Sequence, residues 1–99
     1  MVEAREHLAH MTSALMAIER GESDPAMPVA ELLRSTHSLK GGAGFSGLAN
    51  IEKLAHAMET AVENIRDGRV PAAPEVIDIL LFALDRITAL VDDIEHSEG

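Results

Sequence analysis

Apolar residues return every three or four positions along four stretches of this chain, the period of an α-helix with one buried stripe. The first stretch covers residues 2–20, with Ala4, Leu8, Met11, Leu15 and Ile18 in register, and Gly21 stands where a left-handed residue would close it. It starts beside Met1 with no clear cap, so the chain is expected to begin inside a longer helix. The second covers 28–43 and turns Val29, Leu32, Leu33, Thr36 and Leu39 inward before running into Gly41-Gly42-Ala43-Gly44. The third covers 46–67, with Ser46 as its expected N-cap, Leu48, Ile51, Leu54, Ala55, Met58, Val62 and Ile65 as its stripe, and Gly68 as its terminator. The fourth covers 74–95, carries Ile77, Leu80, Leu84, Ile87, Leu90, Val91 and Ile94, and is widened by Leu81 and Phe82, as in a helix touching two neighbours. The segments 22–28 and 70–74, with two prolines each, read as loops. Four amphipathic helices on short connections predict an all-α fold, an antiparallel up-and-down four-helix bundle, as one domain over 1–99.

Composition narrows the function classes. A chain of 99 residues makes one small domain, which buries about 60–65% of its unfolded surface and depends on tight packing of a single core. That core must be aliphatic, because Phe45 and Phe82 are the only aromatic residues. The lack of cysteine excludes disulfides and thiolate metal sites, and fits a cytoplasmic location. No apolar leader opens the chain, and the densest apolar stretch, Val76 to Val91, is broken by Asp78, Asp85 and Arg86, so no membrane span is expected. A net charge of −9 without a basic stripe argues against nucleic acid and anionic membranes as partners and points to other proteins.

The glycines at 41, 42 and 44 do not fit a plain bundle. Each costs roughly 1 kcal/mol relative to alanine inside a helix, and a glycine-rich helix end is their simplest explanation. His37 lies on the same helix, on the flank of the apolar stripe, with Gly41 and Gly44 four and seven residues further along that face. An imidazole beside bare backbone leaves room for a bulky partner. Lys40, three residues on, is within reach of an anion held by the ring. On the third helix Glu52, His56, Glu59 and Glu63 share one flank. A carboxylate there could accept a hydrogen bond from one nitrogen of His37 and leave the other as a nucleophile. Periodicity does not choose among them.

The run His37-Ser-Leu-Lys-Gly-Gly-Ala-Gly-Phe-Ser-Gly-Leu48, continued by His56-Ala-Met-Glu59 and Arg66-Asp-Gly68, resembles the motif of histidine phosphotransfer (HPt) domains. Within them it is most similar to the N-terminal phosphotransfer domain of CheA-type chemotaxis histidine kinases. The resemblance implies that His37 accepts a phosphoryl group from the ATP-binding domain of a histidine kinase and donates it to an aspartate of a response-regulator receiver domain. It implies that Lys40 lies near the phosphoryl group and that Glu59 hydrogen-bonds the imidazole with His56 beside it, while Ser38, Gly41 and Gly44 form the docking surface. On this reading the domain is not an enzyme by itself and binds no cofactor, ATP and magnesium belonging to the partner domains. The short first helix and the lack of a fifth helix found in some members imply a fragment of a longer protein.

Two other classes compete. A non-catalytic interaction module would suit the acidic flank but leaves the glycines beside His37 unexplained. A metal site on His37, His56 and Glu59 would offer three ligands, yet bundle metal sites draw on more helices and repeat the ligand motif. His7, His10 and His96 read as solvated surface, and Met16 and Met58 as core filler.

Overall fold

A computed structural model describes residues 2–21 and 24–98. Met1, Gly99 and residues 22 and 23 of the expected first linker lie outside that range. Four helices follow in order: α1 (Val2–Glu19), α2 (Ala26–Phe45), α3 (Ala49–Arg66) and α4 (Pro74–Glu98). They form a rod of 43 × 20 × 20 Å, its long axis set by the 25 residues of α4. Neighbours run α1–α2, α2–α3, α3–α4 and α4–α1, and among the described residues there is no close approach across either diagonal. The pairs are antiparallel: His37 meets Glu59 while Gly44, further along α2, meets Glu52, earlier on α3. Arg5 near the start of α1 likewise pairs with Asp92 and Glu95 near the end of α4. The all-α, up-and-down four-helix bundle read from periodicity is the observed fold.

The stripes meet along the axis. Met11, Leu15, Leu32, Leu39, Ile51, Val62, Ile77, Leu80, Ile87 and Val91 are all buried, and no aromatic ring joins them. Thr36 is buried as well, its hydroxyl donating to the Leu32 carbonyl at 2.6 Å, which removes the cost of an unpaired polar group in the core. Among the described residues no buried side-chain polar atom lacks a partner.

Several local expectations need correction. The second helix begins at Ala26 rather than 28, because the Asp24 carboxylate accepts the Ala26 N–H at 3.0 Å and Pro28 sits in the first turn, where no intrahelical N–H is required. It also runs on to Phe45, so the glycines at 41, 42 and 44 are helical. Ser46 ends α2 instead of starting α3. Gly47, at φ 74°, is the left-handed residue, and the Leu48 N–H closes onto the Ala43 carbonyl at 2.9 Å. The third helix therefore starts at Ala49, with no side-chain cap. Gly21 and Gly68 do end α1 and α3, at φ 72° and 78°.

Phe82 does not widen the buried stripe. It is 69% exposed, beside exposed Ile79, because contacts with α1 and α3 leave the outer face of α4 bare. Met58 is in the core, whereas Met16 is exposed. No helix among the described residues is long and apolar enough to cross a membrane.

Candidate functional site

The antiparallel packing of α2 on α3 brings three polar side chains together midway along the rod. Glu59 projects from α3 into the seam and is buried. Its Oε2 lies 2.5 Å from Nδ1 of His37, and its Oε1 lies 2.6 Å from Nζ of Lys40. Burial alone would push the Glu59 carboxyl up. The hydrogen bonds from Lys40 and His37, together with their charges, outweigh that and hold it below the usual carboxylate range. Glu59 is thus a carboxylate at neutral pH, and a carboxylate only accepts hydrogen bonds.

That fixes the histidine. Nδ1 must carry the proton it donates to Glu59, so Nε2 of the neutral ring holds a free lone pair. The His37 side chain is 68% exposed, and among the described residues its ring makes no other hydrogen bond. The arrangement is a nucleophile with a fixed tautomer, locked on the buried side and open on the other.

The Lys40 ammonium turns into the seam towards Glu59, so it supports the group that holds the ring. His56 sits one turn before Glu59 on α3, exposed, and among the described residues its ring makes no hydrogen bond. Of the carboxylates on that flank only Glu59 meets His37. Glu52 lies down the rod beside Gly44, and Glu63 lies half-buried a turn further along the groove.

Gly41 and Gly42 are exposed, helical, and face open space: a Cβ built on either meets nothing within 4 Å. At Gly44 an added Cβ would come within 2.6 Å of a Glu52 carboxylate oxygen, the far end of a side chain that can swing away. Packing inside this domain therefore does not demand glycine at 41 or 42. Ser38 is half-buried at the edge of the same face.

Two residues escaped the sequence reading. Phe45 is 96% exposed two turns beyond His37. Arg34, one turn before His37, lines a shallow groove with His37, Glu59, Glu63 and Arg66. The signal for Arg34 was available: helical side chains lean towards the N-terminus of their helix, so the ring covers the turn before it. Among the described residues no group of three or more His, Asp or Glu side chains is placed to hold a metal ion, and the Lys40 ammonium already occupies one oxygen of Glu59.

Residues 1–97 match the Hpt domain family. Curated relatives include the chemotaxis protein CheA of Listeria monocytogenes, 30% identical over 94 residues, or 95% of this chain and 15% of that protein. CheA of Rhizobium meliloti is 33% identical over 97 residues, or 98% of this chain and 13% of that protein. The chain thus spans about a seventh of the length of these relatives. Among solved structures, the phosphorylated P1 domain of CheA3 in complex with CheY6 from R. sphaeroides superposes with a TM-score of 0.89 at 34% identity, covering 98% of this chain and 75% of that one. The CheA phosphotransferase domain from Thermotoga maritima gives 0.86 at 29% identity, covering 93% and 87%.

Proposed function

This chain belongs to the Hpt domain family, a phosphotransfer module that carries a phosphoryl group, and we propose that it carries that group on Nε2 of His37. The observation behind this choice is the pairing of an exposed imidazole with a buried, ionised carboxylate at Nδ1. In the transfer, the Nε2 lone pair attacks the γ-phosphorus of ATP held by a histidine kinase domain. The N–P bond forms, the bond from phosphorus to the β,γ-bridging oxygen breaks, and ADP leaves with that electron pair. The phosphorylated ring, with hydrogen on Nδ1 and phosphorus on Nε2, is a cation. Glu59 stands against it and stabilises that charge. In the return step an aspartate oxygen of a response-regulator receiver domain attacks phosphorus, and the N–P electrons return to Nε2.

Lys40 acts through Glu59 by keeping it ionised and in place. His56 borders the site on the solvent side. Ser38, Gly41 and Gly44 form the face on which the kinase and receiver domains close. The nucleotide, its magnesium ion and the remaining charge stabilisation come from those partners, so the isolated domain turns over no ATP. The likeness to a P1 domain solved with CheY6 supports a receiver as the acceptor, and likeness to CheA chemotaxis proteins supports a chemotaxis-type kinase as the parent.

Incubation with a CheA-type kinase core and radiolabelled ATP tests the assignment. The expected product is an acid-labile, base-stable adduct on the wild type and none on His37→Gln. Equal labelling of the variant would refute it.

A further inference from the structure

A phosphoryl group on His37 brings close to two negative charges into a groove that already holds Glu59 and Glu63, on a chain of net charge −9. A cation of the domain's own facing it would stabilise that charge between partners. Lys40 is the obvious choice by sequence, yet its Nζ is drawn into the seam, where it donates to Glu59 at 2.6 Å. Arg66, across the groove on α3, is held by Asp67, with Nε 2.9 Å from Oδ1. Arg34 remains. It is exposed, lines the groove with His37, and among the described residues makes no hydrogen bond or ion pair.

Its position is also suitable. Arg34 precedes His37 by one helical turn, and the lean of helical side chains carries the imidazole over that turn rather than over the turn of Lys40. Nδ1 is tied to Glu59, so Nε2, on the other side of the ring, faces away from that carboxylate, and the ring lines the groove together with Arg34. A guanidinium on a flexible stem one turn away can offer two parallel N–H donors to two phosphoryl oxygens, which a lysine ammonium cannot do. On its far side Arg34 borders a second groove with His10 and Ser13 of α1 and with Glu31 and Ser35 of its own helix. Glu31, the nearest competing anion there, forms no ion pair with it.

We propose that Arg34 is the phosphoryl-binding residue of this domain, its guanidinium gripping the oxygens of the group on Nε2 of His37 while Lys40 serves Glu59. The assignment rests on the phosphoryl-carrier reading above and goes beyond it by dividing the two cations of α2 between the phosphoryl group and the carboxylate.

Potassium phosphoramidate tests this without a partner protein: Nε2 forms the N–P bond, the phosphorus–nitrogen bond of the donor breaks, and ammonia leaves. The phosphohistidine resonance is then titrated with pH by phosphorus NMR in the wild type, Arg34→Gln, Arg34→Lys and Lys40→Gln. Circular dichroism confirms that each is helical. A cation against the phosphoryl oxygens favours the dianion, so Arg34→Gln raises the titration midpoint by about half a pH unit. Arg34→Lys restores much of that shift, and Lys40→Gln moves the midpoint less than Arg34→Gln does. Coincident midpoints for the wild type and Arg34→Gln, or a larger shift in Lys40→Gln, would overturn the assignment. A wild type with no phosphohistidine signal, or a signal that survives His37→Gln, would instead refute the carrier reading and this inference with it.

Discussion

Two clusters of three charged or titratable side chains sit on opposite edges of this bundle, and they are built in opposite ways. Between α2 and α3 a single buried carboxylate, Glu59, is shared by His37 and Lys40. Between α1 and α4 a single arginine, Arg5, is shared by Asp92 and Glu95, and all three side chains are partly exposed. In the exposed cluster water can replace any partner, salt screens the charges, and the pairs only add to a contact already made by packing. In the seam water cannot easily replace a partner, so each bond to Glu59 conditions the others. The same chemical vocabulary therefore gives a fixed tautomer on one edge and a solvated staple on the other. Burial of the shared group makes the difference.

Removing the shared group breaks this comparison most sharply. Glu59→Ala is expected to slow phosphoryl acceptance by about 100-fold, because the ring loses its tautomer and the phosphorylated cation loses its counter-charge. The loss of partners for Lys40 and His37 should also cost about 1–3 kcal/mol in urea unfolding. Kinase-dependent labelling under single-turnover conditions, beside the unfolding curve, separates the two effects. A lower stability with an unchanged rate would leave Glu59 a purely structural role.

Acid sharpens the comparison next. The Glu59 carboxyl is held below its unfolded value, so its contribution is complete above the ordinary carboxylate range and is lost as pH falls through the depressed folded value. The stability gap between wild type and Glu59→Gln should be full near about pH 6 and close progressively below about pH 4. Urea titrations at a series of pH values measure it. A gap that persists at the acid end would mean that shape, not charge, holds the seam.

The glycine face separates folding from docking. Gly41 is helical with open space where a Cβ would stand, so Gly41→Ala should stabilise the domain by about 0.5–1 kcal/mol. Gly41→Leu should fold as well as wild type and fail to pass its phosphoryl group to a receiver domain. Normal transfer by the leucine variant would assign the glycines to the helix end alone. The smallest effect is expected at the solvated edge: Arg5→Ala should leave both the thermal midpoint and the labelling rate within experimental scatter. A clear drop in either would show that the exposed cluster does more than decorate the α1–α4 contact.

Much of the architecture was legible because it is local. The stripes of all four helices were read from a period of 3.6, and Gly21 and Gly68 announced the ends of α1 and α3. What failed was also local in appearance but cooperative in fact. Four of the seven residues after Lys40 are glycines, and which of them closes α2 depends on the Leu48 N–H finding the Ala43 carbonyl, a contact no single residue type signals. Pro28 looked like a boundary, yet the first turn tolerates it once Asp24 takes the leading amide. Phe82 matched the stripe by spacing, but an apolar residue is buried only where a neighbouring helix covers it.

The same division runs through the site. The sequence by itself determined that His37 stands on the flank of an aliphatic stripe, beside a helix face stripped of side chains, because helical periodicity assigns faces without reference to the rest of the fold. Periodicity left open which glutamate holds the ring and the family resemblance pointed to Glu59, but only the tertiary structure brings Glu59, rather than Glu52 or Glu63, against His37, turns Lys40 inward and leaves Arg34 without a partner among the described residues. The three glutamates share one flank and differ only in height along α3. That height relative to His37 is set by how the buried stripes of α2 and α3 pack against each other. A repeat of 3.6 residues specifies direction around a helix axis, and it contains no information about how far one helix slides along another.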